Sequence, residues 1–153
     1  MPSRQLINKF LSAQWIVFSL MLTTANCTVL AAQDIRFQNI SSAPFPSEIL
    51  TQIKRENTIP FSTTEVKVKA LPLAEKTQKK AWAVQLNNTN YCGSSGCLTL
   101  VYLAEGKDKK IWRKVFDANV QGLAVGKGEH KGVPNLVANG QHVWRFDGKQ
   151  YNP

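Results

Sequence analysis

The sequence predicts an α+β protein in which a short N-terminal helix packs on a mainly antiparallel sheet of about six or seven strands ending in a β-meander. Three observations carry this expectation. Only the stretch around residues 47–54 spaces its apolar side chains as a helix does, segments of strand length recur after it, and Asn-Gly and Asp-Gly dipeptides punctuate the C-terminal part.

Pro46 and Ser47 suit a helix start, Ile49, Leu50 and Ile53 fall on one stripe, and Asn57 with Pro60 ends the helix. Glu65-Val66-Lys67-Val68-Lys69-Ala70-Leu71 alternates, which turns the valines inward and both lysines to solvent. Trp82–Leu86, Leu98–Leu103 and Ile111–Phe116 continue the series of strands. The second of these is apolar at nearly every residue and is expected as the central strand, covered on both faces. Asn119 to Val125 reads as a further strand, interrupted by Gly122. Leu136–Ala138, Gln141–Phe146 and Lys149–Tyr151 make the meander, with Asn139-Gly140 and Asp147-Gly148 supplying the positive φ of two-residue hairpin turns.

Ahead of these elements lies an export signal. Arg4 and Lys9 occur with no acid, and Trp15 to Leu22 is apolar but too short to span a bilayer as a stable helix. Val29 and Ala31 place small side chains where a signal peptidase inspects them, so cleavage is expected after Ala31, with Ala32 or Ala25 as alternatives. Residues 1–31 are thus a signal peptide and 32–153 a single α+β domain, periplasmic or secreted, with no stable membrane span after processing. Cys27 follows Asn26 rather than the small residue a lipoprotein signal requires, and leaves with the signal.

Two of the nineteen Lys and Arg and none of the ten acids lie before residue 32, which leaves the remainder a net charge of +7. Such a balance favours acidic partners, whether an acidic envelope surface, anionic lipid or an acidic protein. The cations are spread over Lys67/Lys69, Lys76/Lys79/Lys80 and Lys107/Lys109/Lys110/Arg113/Lys114 instead of forming a stripe with stacking aromatics. Nucleic acid is therefore not an expected partner.

No catalytic constellation stands out. Ser94 and Ser95 lack the spacing of a nucleophile elbow, and His130 in a glycine-rich loop and His142 on a strand read as a solvent-exposed residue and a sheet-packing one. No HExxH run or paired carboxylates occur, and no metal or cofactor is expected. Four residues separate Cys92 from Cys97, which suits a structural staple better than a dithiol oxidoreductase.

The strongest signal is Cys92-Gly93-Ser94-Ser95-Gly96-Cys97 itself. In an oxidising compartment Cys92 and Cys97 should form a disulfide. The connection from Asn87 to Cys97 is rich in Asn, Ser and Gly with one Tyr, the composition of binding loops, in which Tyr gives rigid contact area and the small polar residues adapt their hydrogen bonds. Asn88, Asn90, Tyr91, Ser94 and Ser95 are the candidate binding residues. The other reading is a tight β-connection whose glycines solve a backbone problem.

The order of export signal, short helix (Ser47 to Lys54), Ile59-Pro60-Phe61, and Cys-x4-Cys running into Leu98-Thr99-Leu100-Val101 resembles the inhibitor of vertebrate lysozyme family of periplasmic proteins. That resemblance implies a loop that enters the cleft of a lysozyme-like or other envelope hydrolase. Where the family's loop carries a His and an Asp, this chain has Gly93, Ser94, Ser95 and Gly96. The loop, with Trp112-Arg113-Lys114-Val115 and the closing Trp144-Arg145-Phe146-Asp147-Gly148, is also similar to uncharacterised secreted bacterial proteins with a Cys-Gly-Ser-x-Gly-Cys loop. The expected function is an exported, non-catalytic binding protein, of inhibitor or immunity type, and the rival is a small periplasmic enzyme or redox factor.

Overall fold

The computed structural model describes residues 32–57, 60, 62–72, 79–106 and 111–153. Residues 1–31, expected as a signal with its cleavage site, Ile59 and Phe61, and the lysines at 76, 107, 109 and 110 lie outside the described residues.

The described chain is mostly β, with 56% of it in strands and 12% helical, so the expected α+β class is corrected to a β fold built from two antiparallel sheets. In chain order the elements are β1 (Gln33–Asp34), β2 (Gln38–Asn39), a 3-10 turn (Ile40–Ser42), α1 (Ser47–Glu56), β3 (Glu65–Leu71), β4 (Ala81–Asn87), β5 (Cys92–Gly93) and β6 (Gly96–Glu105). They continue with β7 (Ile111–Val120), β8 (Leu123–His130), β9 (Val133–Ala138), β10 (His142–Phe146) and β11 (Tyr151–Asn152). One sheet runs β1-β8-β9-β10-β11; the other runs β2-β3-β4-β6, with β5 and β7 both pairing β6.

The expected single sheet is in fact two because the run Asn119 to Val125 is not one strand. β7 stops at Val120, Gln121 and Gly122 turn a corner, and β8 leaves in the second sheet. Val120 and Leu123 on either side of that corner are both buried in the core between the sheets, which also holds Val101, Leu103, Phe116, Leu136, Phe146 and Tyr151. Phe116 meets Trp144 edge-on at 4.9 Å across this layer.

The six-stranded sheet is buried on its far face as well. Val66 and Val68, Trp82, Val84 and Leu86, and Leu100, Tyr102 and Ala104 form a second apolar cluster with Ile49 and Ile53 of α1. Both isoleucines are fully buried, and each such burial contributes roughly 1.5–3 kcal/mol. Two-sided burial explains why β4 and β6 carry near-continuous apolar runs while β3, nearer the edge, alternates. β6 is an interior strand, although β4 lies nearer the middle of the sheet. Helix α1 ends where Asn57 donates its backbone N–H to Ile53 O at 3.0 Å and its side-chain amide to the same carbonyl at 3.2 Å.

The turns separate by type. Lys131 (φ 54°) and Gly132 (φ 73°) form a two-residue hairpin turn between β8 and β9 that the sequence reading passes over as loop, so His130 ends a strand, exposed. Asn139 and Gly140 both take positive φ, as expected, but Ala138 pairs with His142, so the connection holds three residues, Asn139 to Gln141, rather than two. Asp147-Gly148 does not make a two-residue turn: Phe146 pairs with Tyr151, so the connection holds four residues. The Asp147 carboxylate organises it by accepting from the backbone N–H groups of Lys149 (2.6 Å) and Gln150 (2.8 Å). Those bonds, that of Gln150 first, hold the Asp147 carboxyl below its usual range.

Candidate functional site

β4 and β6 are the two arms of one hairpin, and the candidate loop is its far end. After Asn87 the chain bulges through residues 88–91 and rejoins the ladder as β5, where Cys92 pairs with Cys97 and Gly93 with Gly96. The two cysteines are joined as a disulfide, with their Cα atoms 3.9 Å apart. Ser94 and Ser95 form the turn; the positive φ falls on Gly96 (104°), where a type I turn closed by a glycine bulge places it.

Gly96 is required by more than its φ. A Cβ at this position would sit 2.0 Å from the carbonyl carbon of Val120 and 2.2 Å from the nitrogen of Gln121, because the end of β7 passes directly against it. Gly93 meets nothing within 4 Å. The two glycines of the motif thus have different jobs, one packed against backbone and one open.

The five expected binding residues divide into two groups. Asn88 and Tyr91 are half-buried and build the bulge. The Asn88 carboxamide oxygen accepts from the N–H groups of Asn90 (2.8 Å) and Tyr91 (3.2 Å), its carbonyl accepts from Cys92 N (2.9 Å), and its Nδ2 donates to Thr64 Oγ1 at 2.6 Å. Thr64 in turn donates to Pro60 O, so the bulge is tied to the segment that leads into β3. The Tyr91 ring packs on the apolar cluster under α1. Asn90, Ser94 and Ser95, by contrast, are exposed. Neighbouring Asn87 donates to Glu65 Oε2 at 3.3 Å; with Lys67 it lowers the Glu65 carboxyl below its ordinary range.

A third brace comes from the other sheet and has no signal in the sequence. Gln121 Nε2 donates to Ser94 O at 2.9 Å, and the Gln121 backbone N–H donates to Asn139 Oδ1 at 2.8 Å. Asn139 N donates to Gly122 O at 2.9 Å. A relay of amides therefore runs from the tip of the stapled hairpin through the β7–β8 corner to the β9–β10 turn. These residues lie far apart in sequence and only the corner brings them together.

Beside this relay the space between the sheets opens as a groove of about 630 Å³. It begins where the inward face of β4 changes from Ala81 and Ala83 to Gln85. Gln85, Ile35 and Phe37 line its inward part, Gln121, Gly122 and Asn139 its rim at the corner, and it continues round the sheet edge to Asp34, Ala124 and Val137, whose register places them on the outer face of the five-stranded sheet.

Among the described residues no three His, Cys, Asp or Glu groups come together as a metal site, and no helix is long and apolar enough to cross a membrane. His142 opens β10 exposed, not packed in the sheet. No known protein family, curated protein or solved structure matches this chain.

Proposed function

We propose that this is a non-catalytic binding protein of an oxidising, extracytoplasmic compartment that engages a protein partner with the tip of its stapled hairpin, in the manner of an inhibitor or immunity protein. The observation that carries the reading is the bracing of an exposed tip. Ser94 and Ser95 are exposed, while the Gln121 amide holds Ser94 O, the disulfide closes the turn, and the Asn88-centred bulge orders the arm that leads into it. A loop ordered before binding loses little entropy on binding, and this favours recognition over a purely connective role. The disulfide supports the compartment. A net charge of +7 beyond residue 31 favours a partner with an acidic face.

The test is affinity capture from periplasmic extract by the oxidised protein beside its Ser94→Trp and Ser95→Trp variants, with melting temperature measured on each. The reading expects a partner held by the parent protein and lost by both variants at unchanged stability. A partner retained equally by all three would place its contact elsewhere and overturn the assignment. Turnover that depends on the thiol state of Cys92 and Cys97 would assign a redox factor instead.

A further inference from the structure

We propose that the end of the fold opposite the stapled hairpin is a docking surface for an anionic phospholipid bilayer. The first argument is where the fold puts its charge. Antiparallel neighbours send alternate connections to opposite ends of a sheet. Glu65 pairs with Asn87, and Asn139 bonds the β7–β8 corner, so the connections 57–64, 88–95, 121–122 and 139–141 belong to the hairpin end. In sequence none of them holds a charged residue. At the other end Leu71 pairs with Ala81, Glu105 with Ile111, His130 with Val133 and Phe146 with Tyr151. The residues that join these pairs in sequence hold eight lysines and three acids, a net +5 of the +7 carried beyond residue 31.

Contacts between the sheets make this one end and not two. Arg113 at the start of β7 donates to Gly148 O and Lys149 O, and Tyr151 Oη donates to Pro134 O at 2.8 Å. Ala104 N donates to Lys80 O at 2.8 Å, which seats Lys80 beside the end of β6. Lys79, Lys80, Lys131 and Lys149 are all exposed, and none forms a salt bridge among the described residues. Of the acids described here, Glu105 holds Arg113 and Asp147 binds backbone N–H groups, which leaves Glu129 to offset the lysines.

The second argument is Ile111. It is 66% exposed, more than any other large apolar side chain described, and its pairing with Glu105 sets it at this same end. Cations around an exposed aliphatic group suit a bilayer, whose headgroup phosphates meet the ammoniums while the apolar side chain enters the acyl boundary. Lysines spread over separate connections also make a diffuse field. A fluid lipid surface matches it by moving anions to it, whereas an acidic protein offers charge only at fixed positions and no apolar layer for Ile111. Net charge acts on a distant partner as a whole, but docking depends on where the charge sits. This surface therefore goes beyond the hairpin reading and does not rest on it.

The experiment is co-sedimentation of the oxidised protein with vesicles of phosphatidylcholine alone and of phosphatidylcholine mixed equally with phosphatidylglycerol, beside binding to soluble polyglutamate. The expected result is binding to the anionic vesicles only, lost as salt rises from about 0.05 to 0.5 M. One lysine near such a surface is worth about fivefold in affinity, so Lys80→Gln/Lys149→Gln should weaken binding about twentyfold. Arg36→Gln/Lys67→Gln removes the same charge nearer the hairpin end and should weaken it less than about threefold. Ile111→Ser, at unchanged charge, should weaken it about tenfold. All these positions are exposed or half-buried, and a melting temperature on each variant reports its folding. The proposal is overturned if the anionic vesicles are not bound, if both vesicle types are bound equally, if the two charge variants weaken binding alike, or if Ile111→Ser binds as the parent does. Polyglutamate bound as tightly as the anionic vesicles would assign an acidic protein in place of the bilayer. Ser94→Trp protein that loses a protein partner and keeps the vesicles would leave this surface standing, and the reverse would leave the hairpin reading standing.

Discussion

Lys114 and Asp117 point to the same face of β7, the face under α1, although residues three apart on a regular strand point to opposite faces. The cause is one extra residue. Val101 pairs with Phe116 and Tyr102 with Lys114, so Val115 is a β-bulge, and both Val115 and Phe116 turn into the core between the sheets. The Lys114 ammonium consequently reaches Asp117 at 2.7 Å and Glu56 of α1 at 3.4 Å. Burial lowers the Lys114 pKa, but the hydrogen bond and charge of Asp117, with those of Glu56, outweigh it and raise the net value. The bulge also bends the outer strand of the sheet and dresses it with charge, which discourages pairing with another chain.

Behind this ion cluster Tyr102 is fully buried, and its hydroxyl has no partner among the described residues. Burial first, and then the charges of Glu56 and Asp117, push the phenol well above its ordinary 10.0. An acid whose folded pKa is raised binds its proton more tightly folded than unfolded, so stability falls as pH rises past about 10. Tyr102→Phe should be neutral or stabilising by up to about 1 kcal/mol at pH 7, because it removes a buried group that makes no bond. It should also flatten the alkaline loss, leaving the part that Lys114 and Tyr151, both raised, still contribute. Melting curves of parent and variant between pH 7 and roughly 11 check both statements; a large destabilisation at pH 7 would show that the hydroxyl is bonded after all.

The disulfide closes a loop of only six residues, and the chain-entropy account gives it about 2 kcal/mol. Cys92→Ser/Cys97→Ser, or reduction, should lower the melting temperature and leave a folded protein, because the loop holds only β5 and the first two residues of β6, and both buried apolar clusters lie outside it. Calorimetry with thiol titration checks this. Free thiols at Cys92 and Cys97 in protein purified without reductant would contradict it.

How much of this was legible in the sequence follows the range of the interactions. The alternation of Glu65 to Leu71 holds over its first part, with Val66 and Val68 buried, Glu65 exposed and Lys67 and Lys69 half-buried, because one strand's pleat decides it; it breaks at the end, where Ala70 is exposed and Leu71, on the lysine face, is buried in the core between the sheets. Helix α1 and the Asn139-Gly140 turn are equally local. The division into two sheets was not legible, since Gln121 and Gly122 look like any interruption until β8 pairs with β9 instead of β7. The same corner supplies Gln121 to the hairpin tip and to the groove, so half of the candidate site depends on a pairing that no local pattern reports. Asp147 was read through its neighbour Gly148, whereas its own carboxylate sets the loop.

Tyr91 distinguishes building from binding within the bulge. Its ring is half-buried on the cluster under α1, so Tyr91→Ala should cost about 1–2 kcal/mol, below the 3–5 typical of a fully buried aromatic. Asn90→Ala and Ser95→Ala, both at exposed positions, should stay within about 0.5 kcal/mol of the parent. Chemical denaturation of the three variants measures the contrast. A Tyr91→Ala protein as stable as the parent would identify the ring as contact surface for a partner.

The two glycines of the motif give the sharpest separation between a connective and a presenting role. Gly93 is exposed, has no positive φ and meets nothing within 4 Å, so Gly93→Ala should change stability by less than about 1 kcal/mol and can even help by restricting the unfolded chain. Gly96 holds φ at 104°, and an added Cβ would lie 2.0 to 2.2 Å from the backbone of Val120 and Gln121. Those atoms are main chain and cannot rotate away, so the corner has to move, and with it the Gln121 amide that holds Ser94 O. Gly96→Ala should therefore cost on the order of 3 kcal/mol or more. It should also shift the backbone amides of Gln121 and Asn139, which Gly93→Ala leaves in place. Thermal melts and amide spectra of the two single variants decide it: equal tolerance at both positions would mean that β7 does not pass against the hairpin, and would remove the brace on which an ordered tip depends.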